Sequence, residues 1–178
     1  WVANGTYKPG NFRSDVFLLP PNVSVYGGFN GTETQRDQKN SSVNQTILSG
    51  DIGIDGNQSD NSFHVVVPSQ GSHLEGFIIQ DGNSSENYSS DSRGEGGGLY
   101  AEGVSFSMKQ CIFRNNYASK GGAIYFLDTN VSILDANISD NLSAYAGGAI
   151  ASVNSNIYAS GSIFSYNQIS SNNSGGAI

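Results

Sequence analysis

Four tetrapeptides, Gly96-Gly97-Gly98-Leu99, Gly121-Gly122-Ala123-Ile124, Gly147-Gly148-Ala149-Ile150 and Gly175-Gly176-Ala177-Ile178, recur at spacings of 25, 26 and 28 residues. A period of that size belongs to a solenoid or array, in which each repeat is a small unit that buries its apolar face by stacking on the next. A second motif travels with the first: Phe113-Arg-Asn-Asn116, Ile138-Ser-Asp-Asn141 and Phe164-Ser-Tyr-Asn167 each begin 17 residues after their Gly pair. All variation in repeat length therefore falls between the Asn and the next Gly pair, where an outward loop is expected.

Within the constant part, Leu99/Ile124/Ile150, Phe106/Val131/Ile157, Met108/Ile133/Ala159 and Phe113/Ile138/Phe164 form equivalent apolar columns. Apolar residues alternate in Val104–Met108 and again in Cys111–Phe113, and the phase slips at Lys109-Gln110, as a corner between two strands requires. A second corner falls at Gly103/Asp128/Asn154, all good turn formers. Helical solenoids need i, i+3, i+4 periodicity over helix-length segments, which these Gly-, Ser- and Asn-rich coils lack. The expected fold is all-β: a right-handed parallel β-helix of about seven coils, three short strands each. The chain reads as one segment, 1–178, irregular over 1–95 and regular over 96–178. It opens without Met and stops inside its own repeat, so it is read as part of a longer chain. In the first half, Ile79-Gln-Asp-Gly82 occupies the position of Phe-x-x-Asn.

Composition narrows function. The net charge of −7, spread thinly, argues against neutralising nucleic-acid phosphates. No apolar run reaches the roughly 20 residues that span a bilayer as a helix. A single cysteine, Cys111, forms no internal disulfide; its column partners are Ala136 and Ser162, which suits a small buried thiol.

Asparagine is the informative residue. Twelve of 20 Asn stand in Asn-x-Ser/Thr acceptor sequences: Asn4, Asn22, Asn30, Asn40, Asn44, Asn57, Asn83, Asn87, Asn130, Asn137, Asn141 and Asn172. Random placement among 28 Ser and 5 Thr gives about 4. The excess predicts N-glycans at all of these except Asn141, which sits at the Asn of Phe-x-x-Asn, where a side-chain amide bonds to neighbouring turns. Asn130 and Asn137 lie on the outward phase of their strands.

The paired motifs resemble the repeat of chlamydial polymorphic outer-membrane proteins. The front part, with Trp1-Val-Ala-Asn-Gly-Thr-Tyr7, Ser24-Val-Tyr-Gly-Gly-Phe29 and Asn30-Gly-Thr-Glu-Thr34, resembles the pectin-lyase-like β-helix of secreted and cell-surface proteins. That resemblance implies the fold and its handedness. It admits adhesins, surface proteins and polysaccharide-active enzymes alike.

Enzymes of this type line up acids and a base on one outer face, with calcium in the lyases. No such column is found, so no catalytic residue is expected and no cofactor beyond a weak structural Ca²⁺ candidate at Asp51 and Asp55. His64 and His73 read as structural, and Arg93, Arg114 and Lys120 have no acid in register. Outward Tyr125 and Tyr158 are candidate platforms for sugar rings. The reading is a non-catalytic, secreted or cell-surface structural or adhesive glycoprotein. Its open coil ends would meet adjacent repeats or a second copy stacked end to end as a filament. The alternatives are a polysaccharide lyase or hydrolase, or an adhesin domain of a long monomer.

Overall fold

The computed structural model describes residues 1–85 and 94–170. In chain order its strands begin with β1 (Gly5–Tyr7), β2 (Phe17–Leu18), β3 (Ser24–Tyr26), β4 (Thr46–Ser49) and β5 (Val66–Val67). They continue through β6 (His73–Glu75), β7 (Phe77–Gln80), β8 (Asn83–Ser84), β9 (Leu99–Glu102), β10 (Ser105–Lys109), β11 (Ile112–Arg114) and β12 (Tyr117–Lys120). The last are β13 (Ile124–Leu127), β14 (Asn130–Leu134), β15 (Asn137–Ser139), β16 (Leu142–Ala146), β17 (Ile150–Val153), β18 (Asn156–Ser160), β19 (Ile163–Ser165) and β20 (Gln168–Ile169).

These strands pair into four sheets: β2-β5-β9-β13-β17, β3-β6-β10-β14-β18, β1-β4-β7-β11-β15-β19 and β8-β12-β16-β20, hereafter the first to fourth. Every pairing is parallel, and from β5 onward the chain visits the four sheets in turn before returning to the first. That winding is a parallel β-helix. The apolar columns read from the repeat are in register: Leu99, Ile124 and Ile150 pair in the first sheet, Phe106, Val131 and Ile157 in the second, Phe113, Ile138 and Phe164 in the third. Leu99, Met108, Phe113, Ile124, Phe126, Ile133, Ile138 and Ile150 are fully buried. Each contributes roughly 1.5–3 kcal/mol of burial energy.

The corners recur as columns of left-handed backbone. Gly103, Asp128 and Asn154 have φ of 64°, 49° and 49°; Gln110, Asp135 and Gly161 have 50°, 52° and 65°. A third column, Asp81, Asn115, Asp140 and Tyr166, has 62°, 54°, 58° and 54°. Asn, Asp and Gly take this conformation with little strain, and an aromatic residue does not. Replacing the exposed Tyr166 by Asn is therefore expected to stabilise the fold by about 1 kcal/mol. A raised Tm in thermal unfolding checks this, and an unchanged or lower Tm contradicts it.

The fourth sheet differs from expectation. It runs through the stretch after each Phe-x-x-Asn where the repeat lengths predict an outward loop, so each regular coil has four strands, not three. Small residues allow the chain to stay on the stack here: Ala118 and Ser143 face inward and are fully buried. The one-residue difference between successive repeats is absorbed as a register shift between Ala118 and Lys120 against β16, a bulge in place of a loop.

The Gly pair closes the coil. Gly121 has φ of 62°, and a Cβ on Gly122 would collide with the carbonyl oxygens of Gly148 and Leu142. Successive backbones approach too closely at this corner for any side chain.

The Asn of Phe-x-x-Asn forms a ladder through the core. Asn116 Nδ2 donates to Asn141 Oδ1 at 3.0 Å and to Ile79 O at 3.1 Å. Asn141 Nδ2 donates to Asn167 Oδ1 at 2.9 Å and to Phe113 O at 3.0 Å. Each Oδ1 also accepts the main-chain N–H of the equivalent residue one coil earlier: Asn116 from Gly82, Asn141 from Asn116, and Asn167 from Asn141. Gly82 thus occupies the ladder position that the sequence assigned to it.

Candidate functional surface

Among the acceptor asparagines, Asn130 and Asn137 lie on the outward phase of β14 and β15, while Asn4, Asn22, Asn30 and Asn40 lie in turns and loops outside the strands. Asn4, Asn22, Asn30, Asn40 and Asn130 are exposed. Asn30 Oδ1 accepts from Thr32 N at 2.8 Å and Thr32 Oγ1 at 2.6 Å, a turn closed by the acceptor sequence itself. Asn57 repeats the arrangement with Ser59, at 3.2 Å to N and 2.9 Å to Oγ. Asn44 is half-buried and donates a long bond, 3.4 Å, to Gly28 O. Asn87 and Asn172 lie outside the described residues, as do Arg93 and the final Gly175–Ile178 repeat.

Two acceptors are enclosed. Asn141 is 1% exposed, and its amide nitrogen is committed to the ladder. Asn83, expected to be an outward acceptor, is buried instead, with Nδ2 donating to Gln58 O at 2.7 Å. Asn83 starts the fourth sheet, a sheet that the repeat pattern does not disclose, so its burial is not legible in the residues.

The acidic loop after β4 is arranged around a lysine. Lys8 Nζ meets Asp55 Oδ1 at 2.8 Å, which holds the exposed Asp55 carboxyl below its usual range. Asp51 accepts from Gly56 N. The two carboxylates thus have different partners, Asp55 a lysine and Asp51 a main-chain amide. Among the described residues no group of three His, Cys, Asp or Glu side chains converges as a metal centre.

The histidines have distinct surroundings. His64 Nδ1 lies 2.9 Å from Gly96 O, and its ring stacks on Tyr100, which stacks on Tyr125 at 5.9 Å and 2°. This outward column on the first sheet corrects the reading of Tyr125 as a sugar platform. The stacked rings cover one another, and Tyr125 is 5% exposed. Burial and the nearby Glu95 push its hydroxyl up to about 12. Tyr158 is exposed, as expected.

His73 forms a cluster that the sequence did not reveal. Its Nδ1 is 2.7 Å from Ser107 Oγ, and its Nε2 is 3.2 Å from Glu75 Oε2, while Lys39 Nζ meets Glu75 Oε1 at 2.9 Å. Burial pushes Glu75 up, but the hydrogen bonds from Lys39 and His73 outweigh it and hold the carboxyl below its usual range. The carboxylate favours the Nε2–H tautomer, leaving Nδ1 to accept the Ser107 hydroxyl. The order Ser, His, Glu is that of an activated nucleophile, yet the setting is not: Ser107 lies mid-strand, its N–H serving Ser72 O at 3.1 Å, and its neighbours' amides serve the ladder. We read it as a polar clamp that ties the loop carrying Lys39 to the second sheet.

Lys120 pairs with Glu95 at 3.1 Å, its neighbour in register one repeat earlier, which corrects the expectation that Lys120 has no acid in register. Arg114 Nε donates to Gln80 Oε1 at 3.0 Å. Cys111 is fully buried, and its thiol is pushed up to about 11 by that burial.

A stack of parallel coils with a ladder of amides inside and acceptor sequences outside defines the class: a β-solenoid of the kind that displays a long outer surface. Residues 110–127 match the Chlamydia polymorphic membrane protein (Chlamydia_PMP) repeat. The matched segment runs through β11, Asn116, β12, the Gly121–Ile124 corner and β13, so what is similar is three of the four strands that make up one turn. No curated protein and no solved structure matches the chain. Among the described residues no helix is long and apolar enough to cross a membrane.

Proposed function

We propose that this chain is a non-catalytic scaffold of the extracellular surface whose outer faces carry N-linked glycans. The observation that carries the reading is the placement of acceptors. Asn4, Asn22, Asn30, Asn40 and Asn130 stand exposed on a rigid stack whose repeat is similar to that of a surface membrane-protein family. Rigidity comes from the ladder and the buried columns, and the exposed amides give it points of attachment for sugar.

The coil ends supply the second part of the reading. Strands β17 to β20 have one strand neighbour each among the described residues, and a strand edge left open in this way is a template for another coil. Adjacent repeats of the same polypeptide, or a second copy stacked end to end, would cover it. The test is immunolabelling and electron microscopy of native material: surface label and elongated particles are expected, and label confined to the cell interior would overturn the surface assignment.

A further inference from the structure

The outer face of the third sheet carries a nearly continuous aliphatic column. Its register aligns Thr6, Ile47, Ile78, Ile112, Asn137 and Ile163. All alternate with the inward Leu48, Ile79, Phe113 and Ile138, so they point away from the core. Ile78 is buried at 5% exposure, whereas Ile112 is half-buried and Ile163, in the last described coil, is 61% exposed, so the water-facing part of the column is the pair of isoleucines that flank the Asn137 amide.

That amide has an unusual posture. Asn137 Oδ1 is buried without a hydrogen-bond partner, whereas its Nδ2 makes no hydrogen bond to any described residue and is not among the enclosed, unpartnered atoms. The oxygen is therefore enclosed and the nitrogen is not. Asn137 and Ser139 are two apart in one strand, so acceptor amide and hydroxyl share the outer face. In Asn141-Leu-Ser143 the same spacing has the opposite phase: both polar residues are buried.

We infer that Asn137 carries an N-linked glycan whose first sugar lies along the isoleucine strip, and that Asn83 and Asn141 stay unmodified in the folded chain. The inference rests on the glycan-coat reading above. In the transfer, Nδ2 attacks the anomeric carbon of an oligosaccharide held on a polyprenyl diphosphate. The new N–C bond replaces the C–O bond to phosphate, the lipid diphosphate departs with the electron pair, and a base of the transferase takes one amide proton. Once attached, the sugar's C–H face covers Ile112 and Ile163. Asn130, on the polar column Ser105/Asn130/Asn156, offers its glycan no comparable strip.

The test uses the full chain secreted from eukaryotic cells, with amidase release of N-glycans in ¹⁸O-water and peptide mapping. The expected result is label at Asn137 and none at Asn83 or Asn141. The Asn137→Gln variant is expected to bind an apolar fluorescent dye more strongly than the parent, and Asn130→Gln to bind it equally. Glycans on other acceptors with Asn137 bare, label at Asn83 or Asn141, or equal dye binding by both variants would each overturn this inference and leave the coat intact. Absence of label at every acceptor overturns the coat itself.

Discussion

Asn141→Ala is expected to lower the free energy of unfolding by about 3–4 kcal/mol, since it removes the middle rung of the ladder. The side chain donates to Phe113 O, Ser139 O and Asn167 Oδ1 and accepts from both Asn116 N and Asn116 Nδ2. Each bond contributes about 1 kcal/mol, and the groups left behind are buried where water cannot replace it. Urea unfolding measures the change, and a loss below about 1 kcal/mol would show the ladder to be ornamental. Asn141→Asp adds a test of sign. One carboxylate oxygen would face the carbonyls of Phe113 and Ser139, so its folded pKa lies above the unfolded value. The variant is then least stable at neutral pH and recovers as pH falls, because protonation lets that oxygen donate.

Gly122→Ala is the second large effect. Its added methyl meets the carbonyl oxygens of Gly148 and Leu142, atoms of two backbone segments that cannot move without opening the coil. The expected cost is about 3 kcal/mol or more. Gly103→Ala is the control: no atom lies within 4 Å of its new Cβ, so only the left-handed backbone, φ 64°, resists. That substitution should cost about 1 kcal/mol. A loss at Gly122 no larger than that at Gly103 would mean that the close approach to Gly148 and Leu142 does not govern this position.

What could be read from the residues follows from what repeats. The columns through Leu99, Phe106 and Phe113 and the corner columns through Gly103 and Gln110 were legible because the same constraint recurs every coil and fixes the same residue type. The fourth sheet was not, since its inward residues include Ala118 and Ser143, and neither has the apolar signature of a core. Missing it misplaced Asn83. The Ser107, His73, Glu75 and Lys39 cluster was hidden for another reason: it joins the second sheet to a loop of the irregular first half, where no period links the partners. Tyr125 had the right phase but the wrong exposure, because phase gives direction and says nothing about what stacks alongside.

The outward acceptors carry the functional account, and a single measurement bears on it most directly: the intact mass of the chain from its native source before and after enzymatic removal of N-glycans. A fall in mass equal to several glycans is the predicted result. A mass unchanged by the enzyme, and equal to that of the bare polypeptide, would contradict the account.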